Sequence, residues 1–123
     1  MIKLEQTIKE EFWSTFDWNS IDSEGCIVDV GCLYWDWSNY WFGIKRVIGV
    51  DPFEETTPNG VELFKGVLGP SDCKITMDKP NNEEVSGVVN YDVSENRGDL
   101  YEMFSWKTFC NKYNIDRVSI LKI

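Results

Sequence analysis

The chain of 123 residues contains no histidine, and its four cysteines form no Cys-x-x-Cys pair. The absence of histidine excludes Ser-His and Cys-His nucleophiles and removes the commonest general base. A structural zinc site would need all four thiolates, and their spacing does not resemble a zinc module. We therefore expect no metal site, and we interpret the cysteines as reduced, mostly buried residues of a cytoplasmic protein. They are Cys26, Cys32, Cys73 and Cys110.

Positive charge and long apolar runs are also scarce. Lys and Arg number 12 against 21 Asp and Glu, a net charge of -9, and such a surface disfavours nucleic acid as a partner. No apolar run approaches the length of a membrane span, and the start MIKLEQTIKEEF lacks a signal-peptide core. We expect no membrane contact and a cytoplasmic location. The length and the 42% hydrophobic content indicate a single folded domain over 1–123.

Two short β-branched runs are the most informative feature that is present. CIVDVG at 26–31 and VIGVDP at 47–52 each combine an acidic residue with Gly or Pro, with one helix-sized segment between them. This order is typical of a parallel β-α-β nucleoside-binding unit. A Gly turn lets a ligand lie against bare backbone, and a carboxylate after the second strand can hold both ribose hydroxyls. Gly31 and Asp51 are 20 residues apart, which suits that pair of roles.

The rest of the chain predicts alternating helices and strands. Ile8, Phe12 and Phe16 recur every fourth residue and predict an amphipathic helix over 2–17, followed by a linker to 25. Ser105 is the predicted N-cap of a helix over 106–113. The further predictions are strands at 26–30, 46–51, 61–69 and 117–123, a short aromatic-faced helix at 36–45, antiparallel strands at 74–77 and 85–89, and a loop at 92–99.

Four segments resemble the FkbM-type S-adenosylmethionine-dependent methyltransferases: VDVGC, VIGVDP, VELFKGVLGPSDCKITM and SWKTFCNKYNIDRVSILKI. In that family a motif like D-V-G-A opens the cofactor site, and an acidic-Pro dipeptide closes the second strand. An A-L-G-D-x-x-G segment leads into a β-hairpin, and a helix precedes a strand reading L-L-K-I-D-V-E-G. The similarity covers roughly 26–123. It implies an α/β fold with an open, mainly parallel, Rossmann-like sheet of the class I methyltransferase type, C-terminally incomplete, with a small antiparallel hairpin insertion.

The resemblance also implies a cofactor, S-adenosylmethionine, and a set of residues around it. Asp29 would hold the methionine ammonium, and Asp51 would hold the ribose. Each also has a structural interpretation: Asp29 as a cap of backbone amides, Asp51 as the start of an Asp-Pro turn. Val67 and Leu68 would line the adenine pocket, or would be ordinary core. The full predicted set is Asp29, Gly31, Cys32, Trp35, Asp51, Pro52, Val67 and Leu68.

Three departures from the family bear on function. Trp35 stands where the family has its second glycine, which narrows or reshapes the cofactor loop. The acidic residues that follow the last motif, and about three further strands, would lie beyond Ile123, so no catalytic residue is assigned. We expect this chain alone not to catalyse transfer. By resemblance, the methyl acceptor is a hydroxyl of a sugar or other small molecule. A dinucleotide is disfavoured because Asp36 would repel its phosphates.

Two rival functions and one partner prediction stay open at this level. The first rival is a non-catalytic binding or interaction module of the same fold, with Trp35 filling the pocket. The second is a carbohydrate-binding module that uses the aromatic cluster of Trp35, Trp37, Tyr40 and Trp41 as a stacking platform. The apolar strand 117–123 should have neighbours on both edges. If it has none, the chain is expected to self-associate through this strand.

Overall fold

The computed structural model describes residues 24–78, 88–90 and 99–123. The predicted helix 2–17 lies outside that part, as do residues 18–23 of the predicted linker, 85–87 of the predicted strand 85–89 and 92–98 of the predicted loop. The described elements are β1 (Cys26–Val30), β2 (Val47–Val50), β3 (Glu62–Phe64), β4 (Gly66–Leu68), β5 (Cys73–Asp78), β6 (Val88–Asn90), β7 (Asp99–Phe104), α1 (Trp106–Lys112) and β8 (Val118–Lys122).

The first sheet has the order β3-β2-β1-β8, and all its neighbours run parallel. Its central strands β1 and β2 are buried on both faces, which is why they consist largely of Val and Ile. Ile27 and Val47 pack on one face with Trp35 and Trp41. On the other face, residues including Val28, Ile48 and Phe64 pack against Phe109 of α1. The predicted parallel sheet is confirmed, and the one α-helix among the described residues is compatible with the predicted α/β class.

The second sheet has the order β4-β7-β5-β6 and is mainly antiparallel. The predicted strand 61–69 is wrong as one element: it divides at Lys65 into β3 in the first sheet and β4 in the second. The division occurs where the chain is crowded, since a Cβ on Gly66 would lie 2.4 Å from the Phe64 ring and 2.5 Å from Glu102 O. The predicted hairpin corresponds to β5 and β6, whereas β7 was not predicted and begins at Asp99, inside the predicted loop.

The predicted helix 36–45 is also wrong. Two short 3₁₀ turns, Leu33–Trp35 and Asn39–Trp41, occupy this region instead. Trp35 and Trp41 are both buried in the same core cluster. Trp35 precedes the predicted helix, and the two separate 3₁₀ turns place its ring and that of Trp41 in one cluster.

Two C-terminal elements form close to where the sequence predicts them. Helix α1 begins after Ser105, whose hydroxyl oxygen accepts a hydrogen bond from Thr108 N at 3.2 Å. Strand β8 pairs in parallel with β1, from Cys26 opposite Val118 to Asp29 opposite Lys122. Within the described residues β8 is the outer strand of the first sheet, so the expectation that it has neighbours on both edges is not met there.

Candidate functional site

The strand order of the first sheet locates the candidate site. The chain continues from β1 to β2 on one side, whereas β8 lies on the other side of β1. In open parallel sheets, ligands bind outside the carboxyl ends of the strands, where the order reverses. Here that point lies between β1 and β8. We refer to residues 29–35 and 51–56 together with Lys122 as the carboxyl edge.

Gly31 begins the loop that follows β1. Its φ is +76°, a left-handed conformation that glycine adopts without strain. Its amide donates to Val50 O at 2.7 Å, and Cys32 N donates to the same oxygen at 3.3 Å. Tyr34 (φ 64°) and Trp35 (φ 56°) are left-handed as well, at a cost of about 1–2 kcal/mol each. Other contacts must therefore hold this loop in place.

Asp51, after β2, supplies one of those contacts. It is 6% exposed. Its Oδ2 accepts from Leu33 N at 3.2 Å, and its Oδ1 accepts from Phe53 N at 2.7 Å. Burial raises the pKa of Asp51, while the amides of Phe53 and Leu33 partly offset that rise. Asp51 thus joins the loop after β1 to the turn after β2, and half-buried Pro52 lies within this turn.

Glu54 supplies a second contact, and the sequence analysis did not identify it. It is 4% exposed. Its Oε2 accepts from Tyr34 N at 2.5 Å, and its Oε1 accepts from the amide and hydroxyl of Thr56 at 3.1 and 2.8 Å. No sequence signal distinguishes it from the adjacent Glu55, which is exposed and pairs with Lys65. Only the path of the loop brings Glu54 inward.

Asp29, near the end of β1, is 1% exposed. The ammonium of Lys122 lies 3.0 Å from Asp29 Oδ1 and donates to Val30 O at 3.0 Å and to Gly31 O at 2.8 Å. Neither oxygen of Asp29 accepts a hydrogen bond from the residues that the structure describes, so the ion pair with Lys122 is what offsets the cost of burying this charge. Lys122 was not predicted as a site residue, although a lysine inside an apolar strand signals a paired charge.

Cys32 and Trp35 lie in the core beneath the loop. Their side chains contact the bare backbone of Gly49, where an added Cβ would lie 2.4 Å from the indole and 2.5 Å from Cys32 Sγ. Trp35 is 3% exposed, and its Nε1 donates to Thr56 O at 2.9 Å. Burial and the nearby carboxylates raise the pKa of the Cys32 thiol, so it stays protonated. The Trp35 ring therefore packs on a face of the sheet.

The two residues predicted to line the adenine pocket, Val67 and Leu68, lie in different apolar clusters. Val67 belongs to an apolar cluster that also includes Leu33 and Phe53, both close to the carboxyl edge. Leu68 packs with the cluster on the opposite side, which includes Phe64. The alternation of side chains along a strand explains the separation. Only Val67 comes into the neighbourhood of Asp51.

The aromatic residues proposed as a carbohydrate platform are largely taken up by packing. Trp41 is 1% exposed, and Trp37 and Tyr40 are half-buried against the same core. Tyr40 contacts Trp41 edge-on, with ring centroids 5.2 Å apart. A stacking platform needs several exposed neighbouring rings. This arrangement does not supply them.

A cleft of about 390 Å³ lies at the opposite end of the first sheet, near Cys26 and Asn114. Its charged side chains bind one another or their neighbours. Arg46 Nε and Nη2 lie 2.7 and 2.9 Å from the Glu62 carboxylate. Arg117 pairs with Glu24 at 2.5 Å. Both arginines of this cleft are therefore already paired with carboxylates.

Comparison with known proteins found no matching family model, no matching curated protein and no matching solved structure. In the described ranges no helix has the length and apolar character needed to cross a membrane. Those ranges also contain no group of three Cys, Asp or Glu side chains arranged to hold a metal ion.

Proposed function

We propose that this chain is the cofactor-binding part of an S-adenosylmethionine-dependent methyltransferase with a Rossmann-like sheet. The observation that carries the proposal is the meeting of Asp29, Gly31 and Asp51 at the carboxyl edge, where the strand order reverses. The two acidic residues end neighbouring parallel strands, and the glycine turn lies between them. The sequence segments that resemble the FkbM-type enzymes contribute these same residues.

Each residue has a defined role in this proposal. The loop at Gly31 presents backbone to the amino-acid portion of the cofactor, and Asp51 accepts hydrogen bonds from the ribose hydroxyls. Its bonds to Leu33 and Phe53 orient the carboxylate without exhausting it, because each oxygen can accept a second bond. Val67 lies where it can contact the base. The cofactor supplies an electrophilic methyl group, and correct placement against an acceptor hydroxyl of a sugar or small metabolite accounts for much of the rate.

Calorimetric titration with S-adenosylmethionine and S-adenosylhomocysteine tests the proposal. Asp51→Asn keeps an acceptor for one backbone amide and removes the charge. A hydrogen bond to a charged group contributes about 1.5–3 kcal/mol, so the variant should bind at least about tenfold more weakly. Asp116→Asn, exposed at the opposite end of the sheet, is the matched control and should bind normally. Equal affinity of Asp51→Asn and the unmodified chain would show that the ribose does not bind there.

A non-catalytic module of the same fold is the second candidate, and one observation favours it. The amides of Leu33 and Tyr34, which a ligand would otherwise use, already donate to Asp51 and Glu54. These two amides of the loop are therefore already hydrogen-bonded to the protein's own carboxylates. In the same titration, the absence of heat with both nucleosides would support this candidate over the methyltransferase.

A further inference from the structure

The end of β1 forms a compact group of three acceptors around one ammonium. Lys122 Nζ lies 3.0 Å from Asp29 Oδ1, 3.0 Å from Val30 O and 2.8 Å from Gly31 O. An ammonium has three N–H groups and no acceptor. Two of these groups donate to Val30 O and Gly31 O, and the positive charge pairs with the Asp29 carboxylate.

We propose that Lys122 is the built-in occupant of a primary-ammonium site, so that any ligand bringing its own primary ammonium to Asp29 must displace it. The existence of the site does not depend on the proposed function, whereas the identity of the competing ligand rests on it. Lys122 then acts as a specificity residue. It removes the advantage in affinity that a primary ammonium would otherwise give a nucleoside.

Charge and tethering both support competition rather than joint binding. Asp29 is 1% exposed and has one charged partner, Lys122, among the described residues. Both carboxylate oxygens of Asp29 are buried, and a second ammonium beside Lys122 would meet a like charge. Because β8 holds Lys122 next to β1, its effective concentration is about millimolar or higher. A free ammonium ligand must overcome that advantage.

Removing the tethered ammonium should open the site to small amines. Lys122→Ala deletes a propylammonium group, so n-propylammonium chloride is the probe, and tetramethylammonium chloride, which lacks N–H donors, is its control. We expect propylammonium to raise the melting temperature of Lys122→Ala with the logarithm of its concentration above Kd, by about 5 °C at tenfold excess over Kd. The unmodified chain and Lys107→Ala, which removes an exposed lysine of α1, should not respond. Equal responses to both salts, or none in folded Lys122→Ala, would overturn the proposal.

Lys122→Met keeps the apolar stem and serves if Lys122→Ala fails to fold. With either variant, affinities for S-adenosylhomocysteine and 5′-methylthioadenosine are compared, because only the first carries a primary ammonium. We expect the two Kd values to agree within about threefold for the unmodified chain, and S-adenosylhomocysteine to bind at least about tenfold tighter in the variant. An unchanged ratio would overturn the proposal. Rescue by propylammonium without binding of either nucleoside would retain the ammonium site and reject the proposed function.

Discussion

At the residue scale, three buried carboxylates organise the carboxyl edge. Asp51 and Glu54 hold backbone amides of the loop after β1, and Asp29 holds the ammonium of Lys122. A carboxylate inside a protein is costly unless donors surround it. These side chains therefore fix the conformation of the two loops through specific hydrogen bonds and an ion pair. One of the bonds holds the left-handed backbone at Tyr34.

The raised pKa of Asp51 predicts a specific pH dependence of stability. Burial raises this pKa above its ordinary value of 3.8, so the folded chain keeps the proton where the unfolded chain has lost it. The resulting stabilisation is complete below pH 3.8 and is lost as the pH rises through the raised pKa. The free energies of unfolding of the unmodified chain and of Asp51→Asn are measured in urea at a series of pH values. We expect the difference, unmodified chain minus variant, to decline as the pH increases from about 4.

Asp72 provides a control, because its contribution to stability should change with pH in the opposite direction. Hydrogen bonds from the Thr108 hydroxyl (2.6 Å) and the Ser105 amide (2.8 Å) lower its pKa below 3.8. Its stabilisation is therefore present above pH 3.8 and is lost as the pH falls through the lowered pKa. The corresponding difference for Asp72→Asn should increase with pH. Slopes of the same sign for the two variants would contradict this assignment.

At the element scale, helix α1 shows how a short helix depends on its ends and its buried face. Seven residues are too few for a stable isolated helix. Ser105 caps its first turn, Asp72 binds both Ser105 N and Thr108 Oγ1, and Phe109 is fully buried against the first sheet. The helix is therefore a product of its tertiary contacts as much as of its sequence.

Replacement of the cap should measurably loosen α1. Ser105→Ala removes the acceptor for Thr108 N and should lower the free energy of unfolding by about 1 kcal/mol in urea titrations. Ser71→Ala is the matched control, because its exposed hydroxyl contacts only the Cys73 thiol, at 3.9 Å, among the described side chains. A loss for Ser71→Ala equal to that for Ser105→Ala would refute the capping role.

At the scale of the whole molecule, the two sheets share an aromatic core. Phe64 of the first sheet stacks on Phe104 of the second, with centroids 4.5 Å apart and planes at 7°. Phe109 and Tyr113 surround the same ring at 6.0 and 6.2 Å. The division of the chain at Lys65 thus separates two hydrogen-bonded sheets and leaves their side chains in one cluster.

The outer edge of β8 predicts self-association. No strand covers that edge within the described residues, and Leu121 and Ile123 are 46% and 91% exposed. Burying such side chains contributes about 1.5–3 kcal/mol each, and an open edge can pair with another strand. Sedimentation should show association that increases with concentration. Leu121→Lys should reduce it, whereas Leu100→Lys, at an exposed side chain of β7 in the other sheet, should not. A monomer at all concentrations would exclude this contact.

The sequence by itself determined the elements whose signals are local. The apolar runs of β1, β2 and β8, the cap at Ser105 and the glycine turn at Gly31 each depend on a few adjacent residues. Burial on both faces requires continuous Val and Ile, and a left-handed turn favours glycine, so these features can be recognised without knowing their neighbours.

Only the tertiary structure decided the features that depend on distant partners. Lys122 reaches Val30 across 92 positions and Glu54 reaches Tyr34 across 20, and no local pattern encodes either contact. The ring of Trp35, a predicted cofactor-site residue, is buried in the core against Gly49. Burial of such a large apolar surface outweighs local backbone preference. For this reason periodicity correctly identified the parallel strands and failed for the segment between β1 and β2.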